Sequence, residues 1–345
     1  MSRPLDGSNR RRSCWRRLVA SFLLICVTGP AFAACAGRNL VPELQKTDAE
    51  GVASMFDRAN AVPNARGRLW TVDVPGADPS FLFGTFHSGE VLETVTPKIW
   101  RLLDAARISI FEVSLDQQAA LEERMASDPG FAFDLDGPGV LSEMTEAQAE
   151  AFGQALERRG VDLYAADRMQ PWLLAALLGF PPCHLQAMSS GDKPMDEVLA
   201  RHAESLGIPV VGLESYDTAL DSLNRVPKEQ MLLALVGAPE LLDQEEDVFR
   251  TNASLYAAGE VQAINEFGIY LTERFRPDLK VREINDAMMT ELLDVRNRAW
   301  MPTLESQLAK GGAFVAVGAL HLPGAVGLVE LLRTKGYTVS RTAVD

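Results

Sequence analysis

Two similar segments near opposite ends of this chain constrain its fold more than any other feature. Residues 81–87 read FLFGTFH and residues 315–321 read VAVGALH. Each is an apolar run that ends in G-x-x-H and leads into a glycine-containing turn, which is typical of a buried strand. We therefore predict one sheet built from both ends of the chain, with the intervening residues inserted between them.

The residues around the first segment predict a mixed α/β arrangement. Two β-rich runs at 67–74 and 80–87 are joined by a turn rich in Pro and Gly, which indicates a hairpin. A helix and a further strand at 108–115 follow. Helical periodicity then dominates roughly residues 117–310, apart from a short buried strand at 208–214. The last part of this region is predicted to be one long helix over 284–310. The predicted fold class is α/β, a mixed β-sheet core with a large helical insertion.

The first 33 residues are predicted to be a secretory signal peptide. A basic stretch precedes an uncharged apolar run at 18–28, and an A-x-A cleavage site ends at Ala33. This run is too short to span a bilayer comfortably, and no later run approaches the ~20 apolar residues that a transmembrane helix needs. An uncleaved N-terminal anchor is the alternative. The expected division is a signal peptide over 1–33, a lead-in over 34–66 and a single domain over 67–345.

Two of the four cysteines, Cys35 and Cys183, remain once the signal peptide is removed. In a periplasmic or extracellular compartment two thiols tend to form a disulfide, so we expect a Cys35–Cys183 bridge. Two unpaired thiols are the alternative. Residues 32–35 also form a degraded version of the box that precedes a lipid-modified cysteine, so a lipoprotein anchored at Cys35 is a minor alternative to a freely exported protein.

The charge balance excludes one class of partner. The chain has 33 Lys and Arg against 47 Asp and Glu, a formal net charge of −14, and removal of the basic signal takes it to −19. Nothing obvious here binds a phosphate backbone, so nucleic acid is not an expected partner. The sequence leaves the oligomeric state open.

Polar residues at the ends of the predicted strands are the candidates for chemistry. Ligands of open α/β sheets bind at the carboxyl ends of strands, where His87 and His321 are expected. The glycines three residues earlier, Gly84 and Gly318, let the backbone turn or be approached closely. Glu112 lies in an apolar run, and a buried carboxylate needs a cationic partner. Two imidazoles and a carboxylate are a common ligand set of a catalytic divalent metal.

Each of these residues also has a plainer interpretation. A histidine in an apolar strand is more often a hydrogen-bonded core residue, Glu112 alone usually pairs with Arg or Lys, and the compact H-E-x-x-H motif is missing from the sequence. His184, placed in a Pro-rich loop, and His202 are predicted to be structural or surface residues. Cys183 beside a histidine suits nucleophilic catalysis, but disulfide formation competes for its thiol.

The order of short motifs resembles the TraB/GumN family (TraB/PrgY/GumN), which is related to the Tiki metalloproteases. The resemblance covers roughly residues 69–339. It implies the fold of the erythromycin-esterase and ChaN-like superfamily and, in the Tiki branch, a peptidase that depends on a divalent metal. The motifs are Gly84-Thr85-Phe86-His87, Phe111-Glu112, Gly212-Leu213-Glu214, Arg296-Asn297 and a G-A-L-H-L-P-G run at 318–324.

The resemblance implies roles for individual residues of this chain. His87, Glu112 and His321 match the active-site positions and would bind the metal, with manganese or cobalt favoured and zinc as a further option. The Arg-Asn pair at 296–297 would stabilise developing negative charge or support the ligands. A solvated or capping pair is the alternative. Glu214 is a weaker candidate, with a helix N-terminal acid as its alternative.

Two functions follow from this site. The first is an exported divalent-metal-dependent hydrolase, foremost a peptidase with a peptide or protein substrate, although a non-peptide ester would suit the same chemistry. The alternative is a non-catalytic haem- or peptide-binding protein of ChaN type on the same scaffold. Glu112 favours the hydrolase, because haem capture has little use for a buried carboxylate.

Overall fold

The computed structural model describes residues 35–236 and 238–345, so the predicted signal peptide lies outside the described residues. A six-stranded sheet forms the centre of the molecule. Its strands in chain order are β1 Leu69–Asp73, β2 Ser80–Thr85, β3 Ile108–Phe111, β4 Val210–Gly212, β5 Ala313–Gly318 and β6 Thr338–Thr342. Their order across the sheet is β4-β3-β5-β2-β1-β6. β1 is antiparallel to both of its neighbours, and the other pairs are parallel.

Strand β5 joins the two halves of the sheet. It pairs with β2 on one side and with β3 on the other, and every one of its residues is buried. A strand covered on both faces is a continuous apolar run, which is why its sequence pattern is so clear. The prediction of an α/β fold whose sheet contains both ends of the chain is confirmed.

Helices occupy most of the remaining chain. They are α1 Val41–Thr47, α2 Ala49–Ala61, α3 Pro97–Asp104, α4 Leu115–Ser127, α5 Pro129–Ala132, α6 Glu146–Glu157, α7 Leu163–Ala166, α8 Pro171–Leu178, α9 Pro182–Ser189, α10 Met195–Ser205, α11 Tyr216–Arg225, α12 Lys228–Val236, α13 Glu245–Ala257, α14 Val261–Phe275, α15 Val281–Met289, α16 Val295–Leu308 and α17 Leu328–Thr334. Short 3-10 turns include Gly89–Thr94 and Ala319–His321.

The two faces of the sheet carry separate hydrophobic cores. Val315 and Val317 of β5 face a core that contains side chains of α16 and α17. Phe314 and Ala316 point to the opposite face, where side chains of α3, α10 and α13 pack. This alternation follows the two-residue period of a strand. The helices thereby hold the carboxyl ends of β2, β3 and β5 at one edge of the sheet.

The structure differs from the sequence-based prediction in several elements. The lead-in before residue 67, where the pattern predicts no element, forms α1 and α2, and α2 packs its buried face against α14. The single helix predicted over 284–310 is interrupted by a π-helical turn, Thr290–Asp294. β4 was predicted to be buried, but it is an edge strand with half-buried residues, because only β3 pairs with it.

Cys35 and Cys183 form a disulfide across a sequence separation of 148 residues, as predicted. It connects the segment before α1 to the first turn of α9, and it uses the thiol that lipidation of Cys35 would need. In the part of the chain that the structure describes, no helix combines the length and the apolarity required to cross a bilayer.

Candidate active site

The first G-x-x-H motif places His87 just beyond the carboxyl end of β2. Its side chain is 55% exposed, and its Nδ1 donates a hydrogen bond to Oδ2 of Asp196 at 2.9 Å. Thr85 Oγ1 donates to the other oxygen of the same carboxylate. The charge of Asp196 raises the pKa of His87 to about 9, against the opposing effect of burial. Asp196 therefore stabilises the imidazolium form and fixes the ring orientation.

The second motif places His321 in the 3-10 turn after β5, where it is 3% exposed. Asn297 Nδ2 donates to the carbonyl oxygens of His321 and Val326, at 3.2 and 3.0 Å. Its Oδ1 is left to accept a hydrogen bond from His321 Nδ1 at 2.7 Å. Burial lowers the pKa of His321 to about 3. The ring is therefore neutral, with its lone pair on Nε2.

Glu112 immediately follows Phe111, the last residue of β3, and so lies at the end of the strand rather than within it as predicted. Its Oε1 accepts a hydrogen bond from the amide of Gly318 at 2.6 Å and lies 3.6 Å from His321 Nε2. Its Oε2 accepts from Arg296 Nη2 at 2.6 Å. Burial alone would raise the pKa of Glu112, but the charges of Arg296 and His87 and the hydrogen bond from the amide of Gly318 lower it. The cationic partner expected for this carboxylate is present.

Arg296 links Glu112 to a second buried carboxylate, Glu214. The guanidinium donates to Glu214 Oε1 from Nε at 2.8 Å and from Nη2 at 2.5 Å. Trp300 Nε1 donates to the other oxygen of Glu214 at 3.0 Å. Arg296 Nη1 lies 3.3 Å from His321 Nε2 and also donates to the carbonyl of Leu292. Glu214 therefore shares the guanidinium of Arg296 with Glu112, and that guanidinium is already engaged by two carboxylates.

The two motif glycines serve different purposes. A Cβ on Gly84 would lie 2.9 Å from Cα of Ala319, so this glycine lets the second motif pack against the first. A Cβ on Gly318 would lie 3.1 Å from both Glu112 Oε1 and His87 Nε2 and 3.6 Å from Cδ2 of His321. The backbone of Gly318 has an ordinary φ of −49°, so the glycine is needed for space. The three predicted site residues converge on the side of Gly318 where a Cβ would lie, which we call its bare face.

Sequence reasoning missed two residues of this site. Asp196 occupies the first turn of α10 and has the sequence context of an ordinary helix start, so nothing in its spacing distinguishes it. Trp300 did carry a signal, because it lies four residues after Arg296 on one helix face. Its ring centroid lies 4.4 Å from that of His321 and 4.8 Å from Cζ of Arg296. His184 is not in a loop as predicted; it is buried on α9, because two aromatic rings cover it.

The donor atoms at this site are those of a divalent-cation site, although they are not assembled as one. Among residues 35–236 and 238–345, no group of three or more His, Cys, Asp or Glu side chains is arranged to hold a metal ion. Arg296 lies against both Glu112 and His321 Nε2. The two imidazoles and the carboxylate nevertheless surround the bare face of Gly318, and both histidines have their Nδ1 bound by a neighbouring side chain, as metal-ligating histidines do.

Residues 68–341, which include every residue of this site, match the TraB/PrgY/gumN family. The chain belongs to this family. It is also similar to a metalloprotease TIKI homolog of Amphimedon queenslandica, 26% identical over a 195-residue alignment that covers 52% of this chain and 38% of the relative. It is 23% identical to metalloprotease TIKI2 of Danio rerio over a 336-residue alignment that covers 79% of this chain and 60% of that protein. The chain thus spans less than two thirds of the length of these relatives. No solved structure matches it significantly.

Proposed function

We propose that this chain is an exported, divalent-metal-dependent hydrolase of peptides or proteins. The observation that carries the proposal is the convergence of His87 Nε2, Glu112 Oε1 and the ring of His321 on the bare face of Gly318. The similarity to two Tiki metalloproteases supports the reaction class. The disulfide supports export, because such bonds persist in oxidising compartments.

His87, Glu112 and His321 are the residues proposed to hold the metal, with manganese or cobalt favoured and zinc as a further option. A divalent ion bound there would supply Lewis acidity, lowering the pKa of a water and polarising a carbonyl group. Nitrogen and carboxylate donors suit all three metals. Of the two Glu112 oxygens, Oε1 faces the histidines, while Oε2 is bound by Arg296.

The surrounding residues have positioning roles in this proposal. Asp196 holds Nδ1 of His87, and Asn297 holds Nδ1 of His321, so that each Nε2 faces the site. Arg296 keeps Glu112 ionised and in place, and Glu214 in turn orients the guanidinium. Residues that fix the orientation of metal ligands typically contribute about 10–100-fold in metal affinity or activity.

Metal analysis of the chain without residues 1–33 tests the site. We expect stoichiometric manganese, cobalt or zinc in the parent protein and its loss in both His87→Ala and His321→Ala. His202→Ala is the matched control, because His202 lies on the surface of α10 and pairs with Asp104 at 2.7 Å. Unchanged metal content in the two site variants would contradict the proposal.

Turnover of a peptide library, with and without a chelator, separates catalysis from binding. We expect cleavage that the chelator abolishes and added metal restores. A protein that binds metal in the assay above but cleaves no peptide and no ester would instead favour the non-catalytic haem- or peptide-binding alternative. The ionised Glu112 beside both histidines favours hydrolysis.

A further inference from the structure

A cavity of about 510 Å³, separate from the site described above, lies where the chain enters β1 and leaves β6. The proposed hydrolysis does not use it. Three arginines line it, Arg66, Arg68 and Arg341, together with one acid, Glu260. The chain as a whole has a formal net charge of −14, so a cavity whose charged lining is three arginines and one acid is a local exception.

Gly67 brings these arginines together. Its φ of +107° lies in the region that glycine adopts most readily, and its amide donates to the carbonyl of Gly259 at 2.9 Å. A Cβ on Gly67 would lie 2.5 Å from Cδ of Arg341. The Arg341 side chain therefore crosses the backbone directly between Arg66 and Arg68.

The charges of these arginines are not equally balanced. Arg66 pairs with Glu260 at 2.9 Å. Arg68 is 4% exposed, and it contacts the carbonyl of Thr94, 3.4 Å from Nη1, and the ring of Tyr256, 4.7 Å from Cζ. Burial raises the pKa of Tyr256 to about 12, so its hydroxyl carries no charge to offset the arginine.

Arg68 and Arg341 thus line one cavity without a carboxylate partner in the described part of the chain. A buried guanidinium without a counter-charge is costly. An anion in the cavity would remove that cost, and guanidinium groups bind carboxylates and phosphates through paired, charge-assisted hydrogen bonds.

We propose that this cavity binds an anionic ligand through a carboxylate or phosphate group, held by Arg68 and Arg341. The cavity is separate from the proposed hydrolytic site but adjoins the loop that carries His87. The carbonyl of Arg68 accepts a hydrogen bond from the amide of Gly84 at 2.7 Å, and Tyr256 donates to the carbonyl of Gly84 at 2.8 Å. Occupation of the cavity would therefore act on the base of the loop that carries His87.

Titration calorimetry of the chain without residues 1–33 tests this site independently of metal content or turnover. The probes are inorganic phosphate, an acetylated tripeptide with a free C-terminal carboxylate, and the same tripeptide as its amide. We expect saturable binding of at least one of the two anions and none of the amide. Binding of phosphate alone identifies a phosphate ligand, and binding of the peptide acid identifies a peptide terminus.

Arg341→Gln, at an exposed position, should weaken this binding by about tenfold, the effect of one lost charge-assisted hydrogen bond. Arg68→Gln should do the same where circular dichroism shows an intact fold. Arg101→Gln is the control, because Arg101 is exposed on α3, lies outside the cavity lining and changes the net charge equally. Failure of both anions to bind, or equal weakening by Arg341→Gln and Arg101→Gln, would overturn the proposal whatever the metal analysis shows.

Discussion

His87 and His321 end the same four-residue motif, yet their side chains lie in different surroundings. His87 is half-exposed and bound by the carboxylate of Asp196, which raises its pKa to about 9. His321 is buried and bound by the amide of Asn297, and burial lowers its pKa to about 3. A carboxylate partner favours an imidazolium, whereas an amide and a dry environment favour a neutral ring. The protonation state of each histidine is thus set by its partner and its burial.

The loop that carries His87, the first loop, and the loop that carries His321, the second loop, also differ in how they are anchored. The disulfide anchors the first loop, because residues at both of its cysteines contact that loop. The amide of Cys35 donates to Glu90 Oε1 at 3.2 Å, and His184, the neighbour of Cys183, lies 3.4 Å from Ser88 Oγ. The second loop is instead held by Asn297 of α16, within the core of the domain. One loop therefore depends on a cross-link, and the other depends on packing.

Replacement of both cysteines, Cys35→Ser with Cys183→Ser, is expected to have the largest effect. Loop-closure entropy for a separation of 148 residues gives a loss of up to about 5 kcal/mol in the free energy of unfolding, measured by denaturant titration. Amide hydrogen exchange should accelerate in residues 86–92 more than in residues 319–323. Equal acceleration in both loops would contradict the difference in anchoring. Reductant should reproduce the effect in the parent chain and leave the double variant unchanged.

Alanine at the two motif glycines should separate chemistry from packing. Gly318→Ala places a methyl group 3.1 Å from Glu112 Oε1 and His87 Nε2, so we expect kcat/KM to fall on the order of 100-fold with little loss of stability. Gly84→Ala presses on the backbone of Ala319, 2.9 Å away, and should lower the free energy of unfolding by about 1–3 kcal/mol. Thermal unfolding and peptide turnover measure both. The reverse pattern would contradict the distinct roles of the glycines.

Changing the partner of each histidine should alter metal affinity by about 10–100-fold. In addition, Asp196→Asn should lower the pKa of His87 in the metal-free protein, because the largest cause of its elevation is removed. Asn297→Ala should leave that pKa unchanged, because Asn297 binds the other ring. Titration of the histidine ring signals by NMR measures the difference. A drop of the His87 pKa in both variants would show that the two partners are not independent.

The smallest expected effect concerns His184, beside the disulfide that anchors the first loop. Burial lowers its pKa in the folded protein. Below the ordinary value of about 6.5 the unfolded chain binds a proton that the folded chain refuses, so stability is lost as the pH falls. The loss attributable to one such group cannot exceed about 1.4 kcal/mol per pH unit. Denaturant titrations at pH 7 and below should show a weaker pH dependence in His184→Phe than in the parent chain.

The features that could be predicted from the sequence are those in which a residue type usually has one structural role, such as an apolar run in a buried strand or a pair of cysteines in a disulfide. β5 was clear because burial on both faces leaves only apolar residues, so the histidine that follows stood out. The Cys35–Cys183 pairing was available because only two cysteines follow the predicted cleavage site. These inferences needed no knowledge of packing.

The remaining features depend on which segments meet in space. Asp196 resembles any acid in a first helical turn, and only the folded chain brings it to His87. The end of β3 was misjudged because its pairing stops where β4 ends at Gly212. After that point the amide of Leu213 donates to the carbonyls of both Phe111 and Glu112, and the amide of Glu214 donates to that of Glu112. The sequence pattern of β3 continues through Glu112, but its partner strand β4 ends before it can pair with that residue.

The central place of β5 has a consequence for the order in which the site is assembled. β1 and β2 on one side, and β3 and β4 on the other, share no direct pairing and meet only through β5. Because β5 lies at residues 313–318, nearly the whole chain must be made before the sheet can close. His87 and Glu112 emerge from the ribosome long before His321 can join them. The residues that surround Gly318 therefore come together only after β5 has been synthesised.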